Sequence, residues 1–313
     1  MTINILTPPR LGGPFYWARD LARSLKERGI EARHVHKLQE LYLSLLRPNA
    51  DIVHSTVPFP FKLWQRPLIL TIKGDYTIEK YIWQRFYPKT IVQADAVTVP
   101  SQYLKQRLGL EKAIVIPNAL FPERFSIVKH GAKDQLNLVS VMSFYFSDKV
   151  AGIAKIIDIL SKINSHHFKY TVIGGGQYLD TVKNQVSYTK VDITFTGFLS
   201  DPKPSLATSD IFLYYSYHDN FPNVILEAMA CGLPVVTNNV GAVSEIIENE
   251  KDGYIATTDD AYLEYLLNLM GDVKLRTKIG ENARKTIEAR FDWAKIVDRY
   301  IETYKRFLYE QLC

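Results

Sequence analysis

The chain has 313 residues, of which 47% are hydrophobic and 23% charged, with 16 Gly and 15 Pro. This composition belongs to soluble globular proteins and excludes collagen-like and disordered chains, and the length favours two ordinary domains over one very large one. The formal net charge of +5 is unevenly spread, with 18 Lys/Arg against 10 Asp/Glu in residues 1–125 and 20 against 23 in the remainder. A basic half attracts anions such as phosphorylated acceptors, anionic lipid headgroups or nucleic acid, and an ordinary solvated surface accounts for it equally well. No run approaches the roughly 20 apolar residues of a membrane-spanning helix, and MTINILTPPRLGG has no basic segment leading into an apolar one. A chain that is neither secreted nor membrane-spanning is expected. The two cysteines, Cys231 in an apolar run and Cys313 at the last position, form no CxxC and no Cys/His cluster. That fits a reducing cytoplasm and leaves no structural zinc.

In chain order, INIL (3–6) reads as a strand, followed by a Gly/Pro loop and an amphipathic stretch from Phe15 to Arg28 that Gly29 closes. IEARHV, ADIVHS, PLILTI, AVTVPS and AIVIPN come next as short β-branched runs, several separated by helix-like stretches such as TIEKYIWQRF and SQYLKQRL. Strands alternating with helices make a parallel α/β layout. The polar, aperiodic SIVKHGAKDQL (126–136) is the expected domain boundary, after which NLVSVM, FKYTVIG, ITFTGF, DIFLYY and PVVTNN resume the alternation. Ile296, Tyr300, Tyr304, Phe307 and Leu308 line one face of a final amphipathic helix. The expected division is 1–127, 128–290 and a closing helix over 291–313. No fixed-period repeat relates the two halves, which excludes solenoids and propellers.

Three segments carry possible chemistry. Leu11, Gly12, Gly13 and Pro14 come after the first strand, where glycine lets backbone amides approach an anion at a helix start. The motif is not the GxGxxG fingerprint, and a structural tight turn is as good a reading. Gly174, Gly175 and Gly176 end the apolar strand at Val172 and Ile173, where an open α/β sheet exposes its ligand crevice; a strand-ending turn with close helix packing explains them as well. The third segment, Tyr217 to Pro234, is the most informative. Asn220, Phe221, Pro222 and Asn223 read as a loop running into a helix, so that amides near Val224 and Ile225 would point outward as an anion site, with Glu227 one turn in. Asp219 and Glu227 would then flank one ligand, binding sugar hydroxyls, doing acid/base work, or simply capping and solvating the helix.

The stretch DNFPNVILEAMACGLPVVTNNVGAVSEIIENEKDGYI resembles the donor-site signature of glycosyltransferase family 4, retaining enzymes with the GT-B fold. Similarity extends over essentially the whole chain through Gly12-Gly13, VIPNALFPERF, Lys149, VIGGG, ITFTGFLSD and RFDWAKIVDRYIETY, less closely in the N-terminal part. The resemblance implies two Rossmann-like parallel-sheet domains facing a central cleft, the closing helix packing back toward the first domain. It puts Asp219 where an acid contacts the donor sugar hydroxyls, Glu227 where an acid binds the ribose, and Lys149 where a lysine neutralises the donor diphosphate. It also puts Gly12 and Gly13 opposite the phosphates, and Phe198 and Leu199 beside the nucleobase. Gly174 and Gly175 fall at the donor crevice, and the backbone of Asn220 to Asn223 beside the sugar. Lys73, with Asp75 and Tyr76 of TIKGDY, falls on the acceptor side. Three departures stand out. Asp219 replaces the usual glutamate, no arginine lies between Val139 and Lys149, and Lys73 occupies the place of a frequent histidine.

The resemblance further implies transfer of a hexose-type sugar, with retention, from a UDP- or GDP-sugar to a hydroxyl of a glycan, glycolipid or similar acceptor. The nucleotide-sugar is a co-substrate; no cofactor and no metal are expected, since the chain has no Asp-x-Asp and Lys149 with helix amides can carry the charge work of a cation. A non-catalytic nucleotide-sugar or glycan binder and, with less in its favour, a nucleotide-sugar epimerase are the alternatives. FPFKLWQRP (59–67) and YIWQRFYPK (81–89) read either as a face resting on an anionic membrane, peripheral to its cytoplasmic side, or as ordinary surface and core. No recognised module supports a nucleic-acid partner. His34, His36 and the His166-His167 pair read as strand or surface residues, and Cys231 as a small buried apolar residue.

Overall fold

The computed structural model describes residues 1–9, 12–46, 49–59, 61–62, 64–145, 147–163 and 167–309. Leu11, His166 and Cys313, and Pro60 and Leu63 of the 59–67 cluster, lie outside the described residues. The chain divides into two compact units, Met1–Leu120 with Phe291–Cys313, and Phe121–Arg290. The first division thus falls just before the polar 126–136 stretch. The Leu120 amide donates to the Phe291 carbonyl at 3.0 Å, while the Val128 amide already donates to Cys231 in the second unit at 2.8 Å. Polar composition marks where the chain meets water, which is not where its contacts change sides.

The first unit runs β1 (Thr2–Leu6), α1 (Gly13–Glu27), β2 (Glu31–Val35), α2 (Leu38–Leu46), β3 (Ile52–Ser55), β4 (Leu68–Thr71), α3 (Tyr81–Gln93), β5 (Ala96–Val99), α4 (Gln102–Arg107) and β6 (Ile114–Val115). All six strands are parallel in the order β2-β1-β3-β4-β5-β6. The fully buried runs of β3 and β4 are the near-continuous apolar strands expected when helices cover both faces. Gly29 at φ 74° ends α1 where the chain must turn left-handed. Helix α3 begins four residues after TIEK opens. Asp75 instead accepts hydrogen bonds from the Thr77 amide and hydroxyl and holds that stretch in a turn.

The second unit runs β7 (Leu136–Val141), α5 (Ser147–Leu160), β8 (Phe168–Ile173), α6 (Leu179–Gln185), β9 (Ile193–Gly197), α7 (Lys203–Ala207), β10 (Ile211–Tyr214), α8 (Asn223–Ala230), β11 (Val235–Asn238), α9 (Val243–Ile246), β12 (Tyr254–Ala256), α10 (Asp259–Gly271) and α11 (Val273–Arg290). Its parallel order is β12-β11-β10-β7-β8-β9. The closing helix, α12 (Trp293–Tyr309), returns to the first unit. It buries Trp293, Ile296, Val297, Tyr300 and Tyr304; at roughly 1.5–3 kcal/mol per large apolar side chain this face alone accounts for its docking. Tyr304 also hydrogen-bonds the buried His54 of β3 at 2.6 Å. Phe307 of the expected stripe is only partly buried.

Candidate functional site

Each sheet reverses its strand order once, between β1 and β3 in the first unit and between β7 and β10 in the second. In open α/β sheets the crevice beyond the carboxyl ends of the strands at such a reversal is where ligands bind. The chain leaving β7 enters α5, whose first turn carries Lys149, and the chain leaving β10 ends in Tyr214 and runs through Ser216 to Asp219. Topology therefore brings together residues 70 positions apart. Lys149 Nζ donates to Asp219 Oδ2 at 2.5 Å, to the Tyr214 hydroxyl at 2.6 Å and to Ser216 Oγ at 3.1 Å. The Tyr214 hydroxyl donates to the same Asp219 oxygen. Asp219 Oδ1 accepts from the Phe221 amide at 3.1 Å. Ser216 is held in turn by Asn238 of β11, which accepts its amide proton at 3.1 Å and donates to its carbonyl at 2.9 Å.

The backbone of this loop is clamped as well. A Cβ on Gly241, at φ 58°, would sit 2.1 Å from the Asp219 carbonyl oxygen, so no other residue fits there without displacing the acid. The Ala242 amide donates to the Asn220 carbonyl at 3.1 Å, while Asn220 Oδ1 is buried with no hydrogen-bond partner. Pro222 caps α8, and the Ile225 amide donates to the Pro222 carbonyl at 3.0 Å. That amide is spent inside the turn, unlike the outward-pointing arrangement expected of it. Glu227 is half-buried, and its carboxylate makes no hydrogen bond or ion pair with any described residue. Burial pushes it up to about 7.

Gly174, Gly175 and Gly176 are packing residues. A Cβ on Gly174 would lie 1.8 Å from the Met142 carbonyl oxygen, on Gly176 2.3 Å from the Phe144 carbonyl carbon, and on Gly175 2.8 Å from Phe198 Cβ. The Gly174 amide already donates to the Gly197 carbonyl at 2.9 Å. Their small size lets the loop after β7 lie against the end of β8. Phe198, pressed against Gly175, is nevertheless 77% exposed. Leu199 beside it is half-buried.

The sequence profile described as Glycosyl transferases group 1 matches residues 124–286, more than half of the chain and nearly all of the second unit. The chain belongs to this family. Its function is accordingly glycosyl transfer. N-acetyl-alpha-D-glucosaminyl L-malate synthase of Bacillus anthracis is 23% identical over 97% of this chain and 96% of its own length. The capsular polysaccharide biosynthesis glycosyltransferase CapM of Staphylococcus aureus is 23% identical, over 88% and 79%. Among solved structures, Anabaena HepE in complex with UDP-glucose superimposes with a TM-score of 0.75 at 17% identity, over 98% of this chain and all of that one. At that identity the likeness is one of fold, the two-domain GT-B architecture.

In this group 1 transferase the first unit contributes differently. Gly12 is the N-cap of α1 with φ 155°, and a Cβ on either Gly12 or Gly13 would meet nothing within 4 Å. Unlike the glycines after β8, these two are not required by local packing, and they come after β1 at the reversal of its sheet. Lys73 donates to Asn118 at 2.7 Å and lies 4.1 Å from the Trp17 ring; burial pushes its ammonium well below the usual lysine range, which weakens it as a fixed positive charge. Asp75 is 1% exposed and paired with Arg107 at 2.8 Å, and Tyr76 is 9% exposed and stacked on Tyr87. Both are structurally committed.

Of the aromatic-basic clusters, Phe59 is buried, Trp64 packs against it, and Trp83 and Tyr87 cover Leu70 and Ile72. Phe61, Ile78, Tyr81, Ile82 and Val92 remain exposed, interleaved with exposed Lys80, Arg85 and Lys89. No helix among the described residues is long and apolar enough to cross a membrane, and no three His, Cys, Asp or Glu side chains among them gather as a metal-binding group. The His34 and His36 rings lie tilted to each other at 4.8 Å beside Phe15, and burial drives the Cys231 thiol up to about 12. Sequence reasoning missed Tyr214, Ser216 and Asn238. Tyr214 sits in DIFLYY, an apolar run indistinguishable from core.

Proposed function

We propose that the chain transfers a hexose-type sugar from a UDP- or GDP-sugar to an acceptor hydroxyl on a glycan, glycolipid or related molecule, with retention and without a metal. The observation that carries this reading is the meeting of Lys149 with Asp219 at the reversal of the second sheet. The UDP-glucose in the HepE structure supports the donor class. In the proposed reaction the bond from the anomeric carbon to the diphosphate oxygen breaks, and a bond to the acceptor oxygen forms on the same face. The acceptor's proton passes to the leaving phosphate, so no side-chain base is required. Lys149 neutralises the charge that builds on that phosphate. All three of its N–H directions are occupied by Tyr214, Ser216 and Asp219, so phosphate contact exchanges at least one of them. Glu227, with no partner among the described residues, accepts the ribose hydroxyls, Phe198 and Leu199 flank the base, and Asp219 with the loop to Asn223 meets the sugar.

Thermal unfolding with UDP, GDP, ADP and CMP and their common sugar conjugates, each with and without EDTA, tests this. A ligand at 100 times its dissociation constant adds about 2.7 kcal/mol. Selective stabilisation by one nucleoside diphosphate and its sugar conjugate, unaffected by EDTA, is expected. A response to none of them overturns the donor site, and one that needs a divalent ion overturns metal independence. The exposed stripe along α3 supports a peripheral contact with an anionic membrane, where interfacial aromatic and apolar groups combine with lysine and arginine. Flotation with anionic liposomes at low and high salt checks it; no binding at low salt rules it out.

A further inference from the structure

We propose that Tyr214 is a positioning residue that decides which donor sugar is accepted, by fixing the direction in which Asp219 offers its carboxylate. The proposal rests on the transferase reading above. Tyr214 closes β10, whose four residues are all buried, and is itself 1% exposed. A side chain with that burial serves as core, and phenylalanine would fill the same space. What distinguishes tyrosine here is the hydroxyl, which accepts from Lys149 and donates to Asp219 Oδ2 while Lys149 donates to the same oxygen. Ammonium, phenol and carboxylate form a closed three-membered ring of hydrogen bonds. Burial and the adjoining Asp219 carboxylate hold the phenol well above the usual tyrosine range, so it remains a donor at every physiological pH.

The ring leaves Asp219 little choice. Oδ2 accepts from two donors and Oδ1 from the Phe221 amide, drawn from α5, β10 and the loop itself. A carboxylate offers about four acceptor directions, so one on Oδ1 is left for a ligand, on a side chain 20% exposed. A free carboxylate could turn to meet a hydroxyl in several orientations. One pinned from three sides meets a hydroxyl in one orientation, and sugars that differ at a single ring carbon differ in that respect. Of the three donors the phenol has a single proton to give, and it goes to Asp219. Lys149 also serves Ser216, and the Phe221 amide belongs to the backbone.

The test uses the full chain and Tyr214→Phe, which keeps the ring and removes the hydroxyl, together with Asp219→Asn and the double variant. Binding of UDP, UDP-glucose and UDP-galactose, and of GDP, GDP-mannose and GDP-glucose, is measured by calorimetry. The Tyr214→Phe change is expected to leave the bare nucleotide within twofold and to weaken the preferred sugar conjugate about tenfold. The ratio between the two epimeric sugars should fall toward one. In the Asp219→Asn background it should have no further effect. Equal weakening of nucleotide and sugar conjugate, additive losses in the double variant, or an unchanged epimer ratio would each overturn the role of Tyr214 alone. Failure of the unaltered chain to bind any of the six ligands overturns instead the UDP- or GDP-sugar donor reading, and Tyr214's role with it.

Discussion

At the reversal of the first sheet the loop after β1 offers glycine backbone, and the titratable groups nearby are turned inward. His54 bonds Tyr304 and Thr71, Asp75 bonds Arg107 and Thr77, and Lys73 bonds Asn118. At the reversal of the second sheet the same topology presents side chains: Lys149, Tyr214 and Asp219 in one ring, and Glu227 with no partner among the described residues. One plan thus yields a unit whose polar groups hold the fold together and a unit whose polar groups are gathered where a ligand would lie. The family profile covers the second and not the first. A shared architecture carries chemistry only where loops supply it.

The contrast breaks most sharply at Lys149. Lys149→Ala is expected to lower turnover about 10²- to 10³-fold and to cost a smaller amount of stability, about 1–2 kcal/mol, since the ammonium holds three hydrogen bonds and the pair is only 13% and 20% exposed. A loss of stability matching the loss of rate would place Lys149 among the structural groups. Asp75→Ala should do the reverse, costing about 2–3 kcal/mol of stability because the buried acid anchors both Arg107 and the Thr77 turn. Steady-state kinetics with varied acceptor would reveal the acceptor-side role implied by resemblance as a raised acceptor KM in the surviving folded protein.

The third test is acid. Burial lowers His54 from 6.5 to about 3, so between those values the unfolded chain binds a proton that the folded one does not. Stability present above about 6.5 is lost as pH falls, at about 1.4 kcal/mol per pH unit. The stability difference between the unaltered chain and His54→Asn, followed from pH 7 to 4, should show this slope, because the difference removes the like contribution of His34 and the opposite one of Glu227. The smallest effect belongs to Glu227, whose carboxyl ionises near 7 and accepts hydroxyl protons best when ionised. UDP-glucose, whose esterified diphosphate does not titrate there, should bind more tightly as pH rises through about 7. The dependence should vanish in Glu227→Gln.

Much of this was legible because it is local. Period and turn residues announce β1, α1 and Gly29, and alternation dictates the parallel layout. Asp219, Pro222 and Glu227 stand within nine positions of one another around a helix start. Illegible were the pairings that only folding creates. Nothing in DIFLYY marks Tyr214 as a hydrogen-bond donor to an acid five residues on, and nothing near His54 points to Tyr304, 250 residues away. The glycines after β8 read equally as ligand cradle or tight packing. Only the position of the Met142 and Phe144 backbone shows that packing requires them. Asp75 and Tyr76 looked available because Arg107 and Tyr87 are remote in sequence.

The return of α12 to the first unit sets an order of events during synthesis. The second unit is contiguous, Phe121–Arg290, and its chain is complete before the helix that finishes the first unit has been made. At roughly 5–20 residues per second, the surface of the first unit that receives Tyr300 and Tyr304 stays uncovered for roughly 10–40 s after Leu120 is added. The N-terminal unit is therefore the last to finish, and a nascent chain stalled before Trp293 would display Trp17 and His54 without the aromatic rings that close over them.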